Sequence, residues 1–225
     1  MGIDDAGRGA IIGPMILASI TTQIQSLERI PLNTADSKTI SATKREKLLK
    51  KINSEKCLIQ NYVSIPAQKI TSTMFNHTDE NLDHLNRKAI SKLINIQKQK
   101  LDIVICDNFS HDINWLNKLK TDHPGIVIII RPKADTDFMI VAAASILAKQ
   151  TRDAAIDKIK KTNKTNFGSG YIADITTKNW LTQNVHQLWG FPDFVRMSWK
   201  PAIDIMNNKG CQVKWHSSHQ PKTGR

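Results

Sequence analysis

The sequence predicts an α/β domain with a mixed β-sheet flanked by helices and finished by a helical C-terminal segment. Three observations carry this. Apolar, β-branched runs come early, at residues 10–22 and 57–65. Two more, LDIVICD at 101–107 and GIVIIIRP at 125–132, then alternate with helical patterns, the arrangement that builds parallel strand pairs. The last third shows helical patterns alone.

Taken in order, AIIGPMILASITT (10–22) carries Gly13-Pro14 inside an apolar run, which predicts a strand pair or a bent strand near a sheet edge. ISATKREKLLKKI (40–52) predicts a basic helix with Thr43 and Glu46 as its capping box. CLIQNYVSI (57–65) is the next strand. In DENLDHLNRKAISKLINIQKQK, apolar residues at 82, 85, 89, 93, 94 and 96 follow helical spacing. LDIVICD and GIVIIIRP are predicted as buried strands. FMIVAAASILAKQTRDAAIDKIKK (138–161) predicts a long helix whose Ala142–Ala144 permit close packing on a sheet. Helical stretches near 175–188 and 193–206 complete a single catalytic-sized domain over 1–206, and the polar, basic 207–225 is predicted to be a flexible tail.

Composition narrows the function. Lys and Arg number 32 against 20 Asp and Glu, a net charge of +12, which points to a polyanionic partner, nucleic acid above all. No apolar run approaches the length of a membrane span, the start MGIDD has no basic leader region, and a cytoplasmic protein is expected. Cys57, Cys106 and Cys211 are odd in number and widely spaced, so neither a disulfide framework nor a cysteine zinc site is expected. Cys211, His216 and His219 in the tail match no zinc spacing.

Against that basic background, carboxylates stand at predicted strand ends. Asp4 and Asp5 fall at the first strand, Asp107 ends LDIVICD, and Asp135 follows GIVIIIRP. In an α/β sheet ligands gather beyond strand ends, so these four acids are candidates to converge. Like charges raise one another's pKa unless a cation compensates them, and two divalent ions balance four carboxylates. All-oxygen ligation suits Mg²⁺ or Mn²⁺. Asp at a strand end is also a common turn former or helix cap, so spacing alone leaves both readings open.

The strings GIDDAGRG, IIGPMILA, ADSKTIS, ICDNFS, KADTDFMIVAAASILAK, FGSGY and VRMSWK, in this order, resemble ribonuclease HII, the type 2 ribonuclease H family, in its archaeal and bacterial single-chain form. The resemblance covers residue 2 to about 200. It implies a ribonuclease H-like fold and a metal-dependent endonuclease. Such an enzyme hydrolyses the RNA strand of RNA–DNA hybrids and cuts 5′ to ribonucleotides embedded in duplex DNA. Two-metal activation of water leaves a 3′-hydroxyl and a 5′-phosphate.

Position by position, the resemblance implies that Asp4, Asp5, Asp107 and Asp135 are the catalytic metal ligands for Mg²⁺ or Mn²⁺. Gly7, Arg8 and Gly9 address the ribose 2′-hydroxyl and adjacent phosphate, Tyr171 of GSGY packs on the ribonucleotide sugar, and Lys38 contacts the DNA backbone. Lys133, Lys149 and Arg196 are further candidates for that backbone. Glycines let a backbone approach a sugar closely, and the 2′-hydroxyl is what separates RNA from DNA.

The chain departs from the family pattern in having Asp5 where Glu is usual and Ile172 where proline follows the tyrosine. Asp5 keeps a second reading alive: a hybrid-binding homologue impaired in turnover. The tail has no glutamine–aliphatic–aromatic box, so no sliding-clamp partner is expected, and a monomer is the expected state.

Overall fold

In a computed structural model of the chain, residues 1–31, 41–76, 80–107 and 112–209 are described. Five strands form one mixed sheet: β1 (Gly2–Ala6), β2 (Met15–Thr21), β3 (Ile59–Ile65), β4 (Ile103–Asp107) and β5 (Val127–Arg131), in the order β3-β2-β1-β4-β5. β1 runs antiparallel to β2, with Asp4 opposite Ala18 and Asp5 opposite Leu17. It runs parallel to β4, with Ile3 opposite Cys106, and β4 in turn runs parallel to β5, with Asp107 opposite Arg131.

Two strand expectations change. All seven residues of β2 are buried and the strand lies between β3 and β1, not at an edge. Gly13 and Pro14 precede it, because a residue without an N–H is tolerated just before a ladder begins but not within one. The β5 run, expected to be buried, is an outer strand with only Ile128 fully covered and Val127 largely exposed.

The helices are α1 (Ala42–Ser54), α2 (Ala67–Phe75), α3 (Leu82–Gln97), α4 (Ile113–Asp122), α5 (Ala134–Asp137), α6 (Met139–Asn163), α7 (Ile175–Asn184) and α8 (Lys200–Lys209). The N-cap of α1 is Ser41, whose hydroxyl accepts from the Lys44 N–H, so the capping box expected at Thr43 does not form. Glu46 pairs with Lys50 instead. α7 begins at the Asp174 cap, whose carboxylate accepts from the Thr176 N–H, and it ends at Asn184. The helix expected over 193–206 starts only at Lys200. Val195 bridges Ile12 and the Arg196 N–H bonds the Ile11 carbonyl, so the chain there is held by tertiary pairing rather than helical bonds.

The chain forms two compact units. The first holds Met1–Ala6, Ile16–Val63 and Asn86–Thr151; the second holds Gly7–Met15, Ser64–Leu85 and the chain from Arg152 on. In the first, Ile16, Ala18 and Ile20 of β2 share a core with Ala142, Ala143, Ala144 and Ala148 of α6. The helix comes so close that a Cβ on Gly2 would lie 2.5 Å from the Ile140 carbonyl carbon, which reserves that position for glycine. In the second, Phe167, Trp180 and Phe194 cluster with ring centroids 5.7–5.8 Å apart, among Ile11, Ile12, Leu181 and Val195. Among the described residues, no helix is long and apolar enough to cross a membrane.

Candidate active site

Register explains which acids meet. One step beyond the Ile3–Cys106 pair, Asp4 and Asp107 stand at equivalent positions on adjacent parallel strands, and equivalent positions share a face. Asp135 joins them from α5, a single helical turn directly after β5. One carboxylate oxygen from each of Asp4, Asp107 and Asp135 lies within 4.8 Å of the others. Asp5 is not part of that trio. Being one residue on from Asp4, it follows the strand alternation, and its N–H donates to Asp4 Oδ1 at 2.7 Å.

Burial and mutual repulsion mark these carboxyls. Asp4 is 8% exposed, and loss of solvent pushes its pKa well above the ordinary 3.8; a bond with Ser145 opposes the shift, and the charges of Asp5 and Asp107 add to it. Asp107 is raised as well, again chiefly by burial, with the Lys133 N–H opposing and Asp135 adding. That N–H donates to Asp107 Oδ1 at 3.0 Å from a backbone held at φ 61°, the left-handed region that a residue with a Cβ rarely adopts. The turn between β5 and α5 therefore aims a donor at the site. Three oxygen donors, two with raised pKa values, fit a hard divalent cation, whose charge would offset both burial and repulsion.

The Gly-Arg-Gly segment lies in the second unit. Gly7 has φ +84°, and a Cβ there would lie 2.5 Å from Arg152 Nε. The Gly7 and Arg8 carbonyls each accept from the Arg196 guanidinium at 2.7 Å. Arg8 itself pairs with Asp83 in the first turn of α3. Gly9 is exposed, with nothing within 4 Å of the place a Cβ would take. Tyr171 is half-buried, with the Arg152 guanidinium 4.6 Å from its ring centroid. The loop before it is tied to Asp174, whose carboxylate accepts from Ser169 N–H at 2.6 Å; that bond and those to Thr176 hold its pKa down to about 2.

Among the backbone-contact candidates, Lys38 lies outside the described residues, as do Cys211, His216 and His219. Lys133 is exposed and Lys149 half-buried. Arg196 has no exposed surface, so its guanidinium serves the Gly7–Arg8 carbonyls from inside instead of meeting a phosphate. Sequence reasoning missed Asp83, Ser145 and Arg152. For Arg152 a signal was present: it follows Ala144 and Ala148 at four-residue steps, on the stripe of α6 that the buried alanines mark.

A family model described as Ribonuclease HII matches residues 1–202. Ribonuclease HII of Methanococcus maripaludis strain C6 is 37% identical over 212 residues, covering 92% of this chain and 86% of that protein. A ribonuclease H2 subunit of Bos taurus is 33% identical over 228 residues, covering 97% of this chain and 76% of that protein. The crystal structure of ribonuclease H2 from Pyrococcus horikoshii OT3 superposes with a TM-score of 0.80 at 29% identity, covering 92% of this chain and 96% of that one. Whole-length matches of this kind, on a mixed five-stranded sheet with an acidic trio, establish that the chain belongs to the ribonuclease HII family of ribonuclease H enzymes.

Proposed function

We propose that this chain is a single-chain endoribonuclease of the cytoplasm that hydrolyses the RNA strand of RNA–DNA hybrids and cuts 5′ to ribonucleotides embedded in duplex DNA, leaving a 3′-hydroxyl and a 5′-phosphate. The observation that carries the reading is the meeting of Asp4, Asp107 and Asp135 within 4.8 Å in a protein of net charge +12. The basic surface draws in a phosphodiester backbone, and the acidic trio supplies the oxygen donors that the reaction's cations need. Mg²⁺ or Mn²⁺ held by Asp4, Asp107 and Asp135, with Asp5 as an outer partner, would supply Lewis-acid activation of water toward the phosphodiester.

The chain's own residues do the rest. Ser145 and the Asp5 N–H orient Asp4, and the Lys133 N–H orients Asp107. Gly7 and Gly9 bring backbone to the ribose 2′-hydroxyl, Arg8 meets the adjacent phosphate, Tyr171 packs on the sugar, and Lys38 holds the DNA strand.

The test is a labelled DNA duplex carrying one ribonucleotide, incubated with Mg²⁺ or Mn²⁺, beside an all-DNA duplex and the Asp135→Asn variant. Cutting 5′ to the ribonucleotide, absent from both controls, is expected. Cutting of the all-DNA duplex at a comparable rate would overturn the reading, as would tight binding with no cleavage in either ion.

A further inference from the structure

Arg152 is 1% exposed, yet among the described residues no carboxylate takes its charge in a close pair: Asp153 Oδ1 lies 3.9 Å from Nη1, at the limit of an ion pair. Nη2 donates to the carbonyls of Ser169 (3.1 Å) and Ile12 (3.4 Å), and Nε has no hydrogen-bond partner among the described residues. A buried cation so loosely compensated is costly, and an apolar side chain of similar volume would ordinarily serve stability as well or better. Its surroundings give the reason for keeping it. The guanidinium carbon stands 4.6 Å from the centroid of the Tyr171 ring. On its other sides it fills the space that a Cβ would need at Gly7, 2.5 Å from Nε, and at Gly170, 3.3 Å from Nη2.

One planar cation therefore touches both glycine-rich segments, Gly7–Gly9 and Gly168–Tyr171. The Ile11 and Ile12 N–H groups, which both donate to the Gly170 carbonyl, join the same segments by backbone. The left-handed backbone at Gly7 and Gly170, φ +84° and +79°, is what lets the chain close on the guanidinium from two sides.

We infer that Arg152 is a positioning residue: it stacks against Tyr171, fixes the plane of that ring, and sets it in register with the Gly7–Gly9 backbone, so that ribonucleotide sensing depends on a side chain that meets no substrate. The inference rests on the function proposed above for Tyr171 and the Gly-Arg-Gly segment. A guanidinium is suited to this where an ammonium is not, since its flat face stacks on a ring while its edge donates to the Ser169 and Ile12 carbonyls.

The test is a double-mutant cycle of Arg152→Met and Tyr171→Ala on the single-ribonucleotide duplex, with Arg152→Lys as the conservative variant. Arg152→Met is expected to lower kcat about tenfold with KM nearly unchanged, as displacement of a positioned group does. The double variant should be no slower than Tyr171→Ala alone, because Arg152 acts through the ring, and Arg152→Lys should recover part of the rate. Losses that multiply in the double variant would overturn the inference, as would an Arg152→Met enzyme with native kcat.

A second readout does not depend on turnover. The chain has two tyrosines, Tyr62 and Tyr171, so carbon-13 labelling of tyrosine gives one ring signal for the segment and one internal reference. Arg152→Lys and Arg152→Met should move the Tyr171 ring signal and leave that of Tyr62 in place. A Tyr171 signal unmoved in both variants would overturn the inference. If Arg152→Met does not melt cooperatively, Arg152→Lys carries the cycle and the spectra. Should the native enzyme cut no ribonucleotide-containing duplex, the proposed function falls while the ring signal still decides the role of Arg152.

Discussion

Asp4, Asp107 and Asp135 gather negative charge in the first unit, where two carboxyls have their pKa raised by burial. In the second unit the buried charge is positive, carried by Arg152 and Arg196, whose guanidiniums donate to backbone carbonyls and lie against aromatic rings. Both arrangements cost stability, but they differ in what relieves them. The acids repel one another and call for a cation. The arginines donate to backbone carbonyls and hold glycine-rich backbone in shape, even though Arg152 Nε finds no hydrogen-bond partner among the described residues. Under the proposed function the acidic trio is the part that takes a ligand, and under the inference above the arginine frame is the part that sets geometry.

The sharpest break of that contrast is at the acids. Under the proposed function, Asp135→Asn or Asp107→Asn should lower cleavage about 10³-fold or more, because a lost metal ligand forfeits several kcal/mol of transition-state stabilisation. Asp4→Asn should do the same to activity while raising the melting temperature of the metal-free protein by about 2–4 °C, since it removes a buried charge. A metal-free Asp4→Asn protein that melts below the native one would mean that the carboxylate is structurally satisfied and that the contrast with the arginines is false.

Next in size is the glycine frame. Gly7→Ala forces a Cβ against Arg152 at φ +84° and should cost about 2 kcal/mol or more. Gly9→Ala meets nothing within 4 Å and should leave the melting temperature within about 1–2 °C of native. Chemical denaturation of the two variants side by side checks this; equal losses would show that the guanidinium does not set the shape of the loop.

The pH dependence of the metal-free protein is a smaller effect. Asp4 is raised in the folded chain, so between its ordinary 3.8 and that higher value the native state binds more protons than the unfolded state. Unfolding free energy through this group therefore falls as pH climbs across that window and is flat above it; Asp107 acts in the same direction. Asp174 acts oppositely and lower down: held at about 2, it stabilises the fold above 3.8 and loses that contribution as pH drops toward 2. Melting curves of native protein and Asp4→Asn in EDTA, from pH 4 upward, should diverge as pH rises. Mn²⁺ should close the gap by binding the ionised native state.

Asp107 was legible in the sequence because a β-branched run with an Asp at its end announces both the strand and its carboxylate; Asp135 was legible as an acid a few residues past such a run, on the turn of helix that follows β5. Asp5 was harder, since only the two-residue period of a strand separates it from Asp4. The Gly13-Pro14 pair pointed to an edge for β2, because a proline has no N–H to give a ladder on the inside of a sheet; the chain avoids the conflict by starting the strand one residue later. The inward turn of Arg196 was not legible: it depends on Val195 and Arg196 pairing with Ile12 and Ile11, about 180 residues earlier in the chain. Periodicity cannot report a contact of that range. Arg152 was readable in principle from the buried alanine stripe of α6, but its partner Tyr171 was not.

The smallest expected effect concerns Arg8, which pairs with an acid of the second unit. Its pair with Asp83 is partly exposed on both sides, 32% and 43%, so the pair contributes little to stability and Asp83→Asn should change it by less than about 1 kcal/mol. Binding should respond more than folding. With Asp83 neutral, the Arg8 guanidinium is free to meet a phosphate, and KM for a ribonucleotide-containing duplex should fall about two- to threefold at low salt. Screening shrinks such gains, so the difference should vanish near 0.5 M salt, where the Debye length is only about 4–5 Å. A KM that rises in Asp83→Asn would assign the carboxylate the opposite task of holding Arg8 ready, and would make this one exposed pair part of the same geometric frame as the buried arginines.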